Sequence, residues 1–265
     1  MEKNAARYEK SPIDQLGDVI LEAFTIMADY QNLFIDQYAN LVEKIQPDLI
    51  IHDGYICFPT IVNQSIPWVW LFSASPHAML LDPRVPPFYS GLPANGDQAE
   101  WRAYTEKALE HLAPLQKRAN EENLASGGQD LKGRLHPFSS FLNIFMWPKE
   151  LMYPELADDL PENVVGVDCF VRTVPEQKFT LPAQLANRPG KLVLFSMGSF
   201  GCANLKLMTR LVGMLAKSKH RFIVSKGPLK YDLPGDNLWG EPFLPQTAVL
   251  QQVDLVITHG GKYVF

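Results

Sequence analysis

The first third of the chain alternates helical periodicity with short apolar runs. Between Ile13 and Ile45, apolar residues recur at steps of three and four, which predicts one long helix or two consecutive helices. Ser11 and Asp14 have the spacing of a capping box with Asp in place of Glu, and Pro12 suits the first helical position.

Two short apolar runs follow. Leu49–Ile51 comes after Pro47, Trp68–Phe72 comes after Pro67, and residues 57–63 between them suit a helix. Continuous apolar runs of this length are typical of buried parallel strands. Strand, helix and strand at this spacing predict a βαβ unit.

The same alternation continues to the end of the chain. A loop rich in Pro and Gly over residues 82–97 precedes an amphipathic helix at 98–122, a second loop lies at 126–133, and a short strand is expected at 164–167. The repeated alternation predicts an α/β fold with doubly wound parallel sheets. A polar, proline-containing stretch near 175–190 marks a boundary, so we expect domains at 1–178 and 179–265. The later strands are predicted at 191–197, 220–225, 238–241 and 254–258, and the later helices at 205–217 and 247–252.

Composition narrows the function classes. The chain has 265 residues, 46% hydrophobic and 20% charged, which is ordinary for a globular protein. With 24 Lys and Arg against 29 Asp and Glu it lacks the basic field that nucleic-acid binding requires, and no basic run marks a membrane surface. The three cysteines are far apart, so we expect neither a disulfide framework nor a metal site, but small buried residues at Cys57, Cys169 and Cys202.

No apolar stretch reaches the ~20 residues of a membrane span. The amino terminus is polar and lacks the apolar core of a secretory signal. We therefore expect a soluble, cytoplasmic chain, although an anchor of a longer form would lie beyond the present carboxyl terminus.

Small residues follow two of the predicted strands. Ser196, Gly198 and Ser199 come after the strand in KLVLFSMGSFG, where backbone amides, hydroxyls and the next helix terminus favour an anion. His259, followed by Gly260 and Gly261 in DLVITHGG, ends a second strand in the same way. Ligands bind beyond the carboxyl ends of strands in open parallel sheets, so two such ends together predict a diphosphate site. A glycine turn and a structural histidine remain the alternative interpretation.

A third candidate is the segment GEPFLPQTAVL. Phe243 lies three residues before Gln246, and a flat ring beside an amide suits stacking and hydrogen bonding to a base. From the sequence alone, a core position for Phe243 is the stronger interpretation.

Taken together, SMGSFG and FLPQTAVLQQVDLVITHGG resemble the family 1 UDP-dependent glycosyltransferases, whose signature has the form W-x-P-Q followed by T-H-G-G. PDLIIHDGYICFPTIVNQSIPWVWLFSASP is similar to that family's βαβ unit. The resemblance runs over roughly residues 45–261 and is most specific in 192–261.

The resemblance implies a GT-B fold of two Rossmann-like domains, the first for the acceptor and the second for a UDP-sugar co-substrate, with no cofactor. The residues it implies for the donor are those of the three strand-end segments. Phe243 stands where the family has a tryptophan that stacks on uracil, and Gln246 matches the glutamine of the same motif. The diphosphate residues are Ser196, Gly198, Ser199, His259, Gly260 and Gly261.

The resemblance also implies an inverting transfer without a metal. A base removes the proton of the acceptor hydroxyl, and the departing UDP is stabilised by converging donors. Asp53 matches the carboxylate that orients the base histidine. His52 is a poor substitute for that base, because neighbouring strand residues point to opposite faces.

Two departures from the family pattern change the expectation for this chain. Only 52 residues precede Asp53 and they are predicted to be helical, so the family's base histidine has no counterpart. After His259-Gly260-Gly261 the chain continues for only four residues. We therefore expect a truncated member, incomplete in both domains, with little or no activity alone.

Other functions remain open. One is a non-catalytic nucleotide-sugar-binding remnant or decoy. Another is a GT-B epimerase or a lipid-directed transferase, and a third is an unrelated dinucleotide enzyme, which would need a GxGxxG fingerprint. Trp68, Trp70, Phe72 and the loop 82–97 suggest a small lipophilic acceptor, although core positions explain the three aromatic residues equally well.

Overall fold

The computed structural model describes residue 7 and residues 10–56, 58–168 and 178–261, with Phe200 described through its backbone alone. Contacts between residues divide the chain into two compact units, whose boundary along the sequence lies between positions 171 and 172. We call residues 7–168 the first unit and residues 178–261 the second unit. The domain limits expected from the sequence, 1–178 and 179–265, stay a prediction.

The first unit begins with the helical segment expected over residues 13–45. Helix α1 (Pro12–Gln15) passes through a π-helical turn (Leu16–Ile20) into α2 (Leu21–Ile45). Ser11 caps α1, since its side chain accepts a hydrogen bond from the backbone N–H of Asp14, as the capping pattern predicts.

A four-stranded parallel sheet forms the centre of the first unit, with the strand order β1-β2-β3-β4. The βαβ unit and the strand at 164–167 are therefore confirmed. The remaining elements, in chain order, are β1 (Ile50–Asp53), α3 (Pro59–Val62), β2 (Trp68–Phe72), α4 (Pro76–Met79), α5 (Gln98–Ala125), β3 (Leu142–Met146), a 3₁₀ turn (Lys149–Leu151), α6 (Pro154–Ala157) and β4 (Val164–Val167).

One expectation for this sheet was wrong, and one of its strands was not predicted. β1 is parallel but not buried: it lies at the sheet edge, where Leu49 is 48% and Ile51 64% exposed. β3 was not predicted, because its buried position Asn143 breaks the apolar run. The Asn143 side chain accepts from the backbone N–H of Ser139 and donates to the carbonyl of Asn163, so its burial is compensated.

The second unit contains another parallel sheet, with the strand order β7-β6-β5-β8. All four strands expected here are confirmed, as are the two helices, whereas the short helices α7 and α8 were not predicted. The elements are α7 (Ala183–Ala186), β5 (Leu192–Ser196), α8 (Gly198–Gly201), α9 (Leu205–Leu215), β6 (Arg221–Ser225), β7 (Leu238–Glu241), α10 (Gln246–Leu250) and β8 (Leu255–Thr258).

Strand β5 is central and buried on both faces. Phe195 packs with Met208 of α9 on one face, and Leu194 packs with Val249 of α10 on the other. A parallel strand that helices cover on both faces has a continuous apolar sequence, as β5 has in LVLFS. Cys202 is buried in the first of these clusters, as expected for a small apolar residue, while Cys57 and Cys169 lie outside the described residues.

Helix α9 offers a test of the local structure beside the sheet. Asn204 caps it, because the side-chain oxygen accepts from the backbone N–H of Leu207 at 3.0 Å. We expect Asn204→Ala to lower the free energy of unfolding by about 1 kcal/mol, and Asn204→Asp to lower it far less. Urea unfolding measures both variants. Equal losses in the two variants would contradict a capping role.

Among the residues that the structure describes, no helix combines the length and apolarity needed to span a bilayer.

Candidate functional site

The carboxyl ends of β5 and β8 lie side by side. These two strands pair in parallel, with Phe195 opposite Ile257 and Ser196 opposite Thr258. The segments that follow them, beginning at Met197 and at His259, therefore emerge together at one edge of the second sheet. The two glycine-rich ends that the sequence analysis selected belong to neighbouring strands.

Gly198 and His259 are in direct contact across these two segments. Gly198 has φ +65°, in the left-handed region that favours glycine. A Cβ atom at this position would lie 2.4 Å from Cε1 and 2.8 Å from Nε2 of His259, so the imidazole fills the space that a side chain would need. Glycine at 198 thus serves both the backbone conformation and the approach of the ring.

The imidazole of His259 is itself exposed at this edge. Its Nδ1 lies 3.5 Å from Oγ1 of Thr258, and a Cβ at Gly261 would meet its Nε2 at 2.5 Å. Gly260 has φ +79° and open space where a Cβ would lie. An exposed imidazole therefore stands among glycine backbone, with room for a ligand beside Gly260.

The two serines of the β5 loop occupy different environments. Ser196 is buried at the last position of β5, while Ser199 is exposed in α8 next to Gly198. α8 is a single turn of four residues, and the longer helix α9 begins only at Leu205. The longer helix expected at 205–217 is therefore confirmed, and Ser199 is the serine that a ligand can reach from solvent.

Phe243 and Gln246 reach the same edge from β7. Phe243 is 82% exposed, so the interpretation of Phe243 as a core residue is wrong. Leu244 next to it is buried with Val249 and anchors the segment to the sheet. Gln246 begins α10, and its Nε2 is buried without a hydrogen-bond partner in the described part of the chain. A flat exposed ring and an unsatisfied amide donor thus lie three residues apart.

Asp53 ends β1 in the first unit, where its side chain is exposed. Its neighbour His52 is buried on the opposite face, with Nε2 3.3 Å from the carbonyl oxygen of Ile56. The prediction that adjacent strand residues place the two side chains on opposite faces is confirmed. His52 is held in the core of the first unit and does not orient toward Asp53.

The aromatic residues offered as acceptor contacts are core residues. Trp68, Trp70 and Phe72 are all buried and pack with Phe145 inside the first unit. Burial on the sheet face explains all three, so they do not line an exposed acceptor site.

Lys226 is a charged residue that the sequence analysis missed. It follows β6, its backbone N–H donates to the carbonyl of Glu241 at 2.9 Å, and its Nζ lies 5.0 Å from the centre of the Tyr231 ring. The signal was present in the sequence, since Lys226-Gly227 follows an apolar strand as Gly198 does. Among the described residues, no group of three His, Cys, Asp or Glu side chains is arranged to hold a metal ion.

The chain is similar in fold to solved glycosyltransferases. The glycosyltransferase of kitacinnamycin superposes with a TM-score of 0.62 at 20% sequence identity, over 92% of this chain and 60% of that one. CalG4, the calicheamicin glycosyltransferase, superposes with a TM-score of 0.52 at 16% identity, over 92% of this chain and 57% of that one. No protein-family model matches the sequence, and neither does a curated protein.

These comparisons establish the fold class. The chain has the α/β fold of GT-B type, with two Rossmann-like parallel sheets, as the resemblance to family 1 implied. It spans about three fifths of the length of the two glycosyltransferases it matches. At this level of identity the likeness concerns the fold, and the chemistry rests on the residues of the site.

Proposed function

We propose that the chain belongs to an enzyme that transfers a sugar from a UDP-sugar to a small lipophilic hydroxyl acceptor, with inversion at the anomeric carbon. The second unit binds the donor and the first unit the acceptor. The observation that carries the proposal is the contact between Gly198 and the His259 imidazole at the carboxyl edge of the second sheet.

The diphosphate is assigned to this contact. A diphosphate needs several hydrogen-bond donors that converge from more than one segment. His259, the Ser199 hydroxyl and the exposed Gly260 backbone supply donors from two segments. Donors fixed before the reaction stabilise the charge that develops on the departing UDP, without a metal ion.

The uridine is assigned to Phe243 and Gln246. Stacking on the exposed Phe243 ring removes its face from water and suits the flat uracil base. Gln246 Nε2 is buried without a partner, and a buried donor left unpaired costs about 1–3 kcal/mol. A hydroxyl or carbonyl oxygen of the nucleoside would satisfy that donor, which favours a bound nucleoside over an empty site.

Asp53 is assigned to the acceptor side. An inverting transfer needs a base on the acceptor hydroxyl, and a carboxylate orients an imidazole for that task. Asp53 is exposed at the carboxyl end of β1, where ligands of parallel sheets bind. The first unit's loop at 82–97 remains the candidate acceptor contact in this proposal.

The experiment compares UDP, TDP and uridine by isothermal titration calorimetry with the wild type and with Phe243→Ala. We expect UDP to bind and the variant to lose about tenfold in affinity for UDP and for uridine alike, since base stacking on an aromatic ring contributes about 1–3 kcal/mol. Phe243→Tyr is the matched control and should retain binding. Absence of UDP and TDP binding to the wild type would contradict the proposal.

A second candidate is binding of the nucleotide sugar without transfer. The environment of Asp53 favours this second function. In the described part of the chain, no histidine donates a hydrogen bond to the Asp53 carboxylate, so no base is oriented by it. Incubation with UDP-glucose and a panel of phenols distinguishes the two functions. The second function is supported if UDP binds but no sugar is transferred to a phenol and no UDP is released from UDP-glucose.

A further inference from the structure

Charge is distributed very unevenly between the two units. Residues 7–168 contain 11 Lys and Arg against 23 Asp and Glu, a net charge of −12, whereas residues 178–261 contain 10 against 4, a net charge of +6. The overall charge of −5 hides a basic second unit. A positive field of this kind attracts anionic ligands and accelerates their association.

The basic residues differ in what neutralises them. At the amino edge of the second sheet, Arg188 pairs with Asp236 and Lys191 with Asp254. Lys226 and Lys230 follow β6 at the carboxyl edge, and in the described ranges no salt bridge involves either of them. These two lysines, at the edge that carries Gly198 and His259, are therefore not held in ion pairs with any described residue.

Lys226 is the lysine at this edge whose position is fixed. Its side chain is half-buried, and Nζ lies 5.0 Å from the centre of the Tyr231 ring, in cation–π distance. Tyr231 packs against the apolar cluster of Cys202, and burial raises the pKa of its phenol to about 12. The phenol therefore stays neutral and holds the lysine without neutralising it.

The segment that carries Lys226 is seated directly on the donor loop. Gly227 has φ +70°, and a Cβ there would lie 2.2 Å from Sγ of Cys202. Cys202 in turn donates from its backbone N–H to Gly198 O at 3.2 Å, and from Sγ to Ser199 O at 3.4 Å. Lys226 is thus one residue from a chain of contacts that ends at Gly198 and Ser199.

We propose that Lys226 is a further donor-binding residue, whose ammonium group binds the diphosphate oxygens from the β6 side while His259 binds them from the β8 side. This inference rests on the proposed function of the site. The imidazole and the backbone supply hydrogen bonds, and Lys226 supplies a full positive charge against the diphosphate anion. Because the charge increases on UDP as the sugar departs, the same contact stabilises the leaving group.

The test separates the phosphate from the nucleoside. Pyrophosphate, UDP and uridine are titrated into the wild type, Lys226→Gln, Lys226→Arg and Lys230→Gln by calorimetry. We expect Lys226→Gln to weaken pyrophosphate and UDP about tenfold and to leave uridine unchanged, with Lys226→Arg retaining most of the affinity. Lys230→Gln removes the same charge from the same loop and is the control, with less than a twofold effect expected. The salt dependence of UDP binding should also decrease in Lys226→Gln.

Each contrary result has a distinct meaning. The role of Lys226 is overturned if Lys226→Gln binds UDP within twofold of the wild-type affinity, or with the same affinity as Lys230→Gln. The proposed function stays intact in both cases. An equal loss for uridine overturns it as well, because it indicates a disturbed fold. A wild-type chain that binds neither UDP nor pyrophosphate overturns the proposed function and this inference together.

Discussion

Gly198→Ala is expected to lower the affinity for UDP about a hundredfold. An alanine at φ +65° is strained by about 1–2 kcal/mol, and its Cβ would lie 2.4 Å from Cε1 of His259. The backbone at position 198 and the imidazole of His259 cannot both keep their positions. The hydrogen-bond donors assigned to the diphosphate therefore move apart. A hundredfold loss corresponds to about 2.8 kcal/mol, the sum of strain and displaced contacts.

Gly260→Ala is the matched control for this prediction. Gly260 has φ +79°, similar strain, but open space where the Cβ would lie. We expect a loss of about tenfold or less, and the difference between the two variants measures the collision with His259. Adding Gly198→Ala to His259→Ala should then cost much less than it costs in the wild type. Calorimetry with UDP measures the affinities, and circular dichroism verifies the fold. Equal losses for Gly198→Ala and Gly260→Ala would show that the contact with His259 does not hold the site.

The segments that follow β5 and β8 were predictable because a buried parallel strand and the turn after it can be recognised from a short stretch of sequence. Strands β5 and β8 are short apolar runs, and each run ends where the residue type changes abruptly, at Ser196 and at His259. That β5 and β8 are neighbours is not readable from such runs, because strand order depends on crossovers between distant segments. The resemblance to a known family supplied that link, and the contact between Gly198 and His259 agrees with it.

What the sequence did not show has equally specific causes. Phe243 looks like a core residue by type, and only the strand and helix around it reveal that Leu244 takes the buried position. Strand β3 was not predicted because a polar residue, Asn143, interrupts its apolar sequence. The hydrogen bonds that make burial of the Asn143 side chain possible form only in the folded unit. Lys226 escaped notice because a lone lysine after a strand is ordinary, and its Tyr231 platform lies five residues further along a loop.

The first unit contains a second feature that composition could not reveal, a stack of buried aromatic rings. The His136 imidazole lies 4.2 Å from the Trp70 ring at an interplanar angle of 6°, and 5.0 Å from the His52 ring. His136 is 3% exposed, with Nδ1 2.6 Å from the carbonyl of Pro137 and Nε2 buried without a hydrogen-bond partner among the residues described. The stack is therefore built from neutral imidazoles.

This stack predicts that the first unit loses stability in mild acid. Burial lowers the pKa of His136 to about 3 and also lowers the pKa of His52. At pH values between the ordinary histidine pKa of about 6.5 and these lowered pKa values, the unfolded chain binds protons at these histidines and the folded chain does not. The free energy of unfolding therefore falls as the pH falls. Above about pH 6.5 the imidazoles are neutral in both states, and the first unit keeps its full stability with respect to these two histidines. For His136 alone the loss by about pH 3 is on the order of 4 kcal/mol.

The measurement is urea unfolding followed by tryptophan fluorescence at pH 7.5, 6 and 5, since four of the five tryptophans, Trp68, Trp70, Trp101 and Trp147, lie in the first unit. Carboxylates also titrate in this range, so the informative quantity is the difference between the wild type and His136→Phe, which keeps an aromatic ring but cannot bind a proton. We expect the variant to lose markedly less stability on going from pH 7.5 to 5, while His111→Gln, at an exposed position of α5, follows the wild type. If all three chains lost the same free energy of unfolding over that interval, the buried imidazoles would not be the cause of the acid sensitivity.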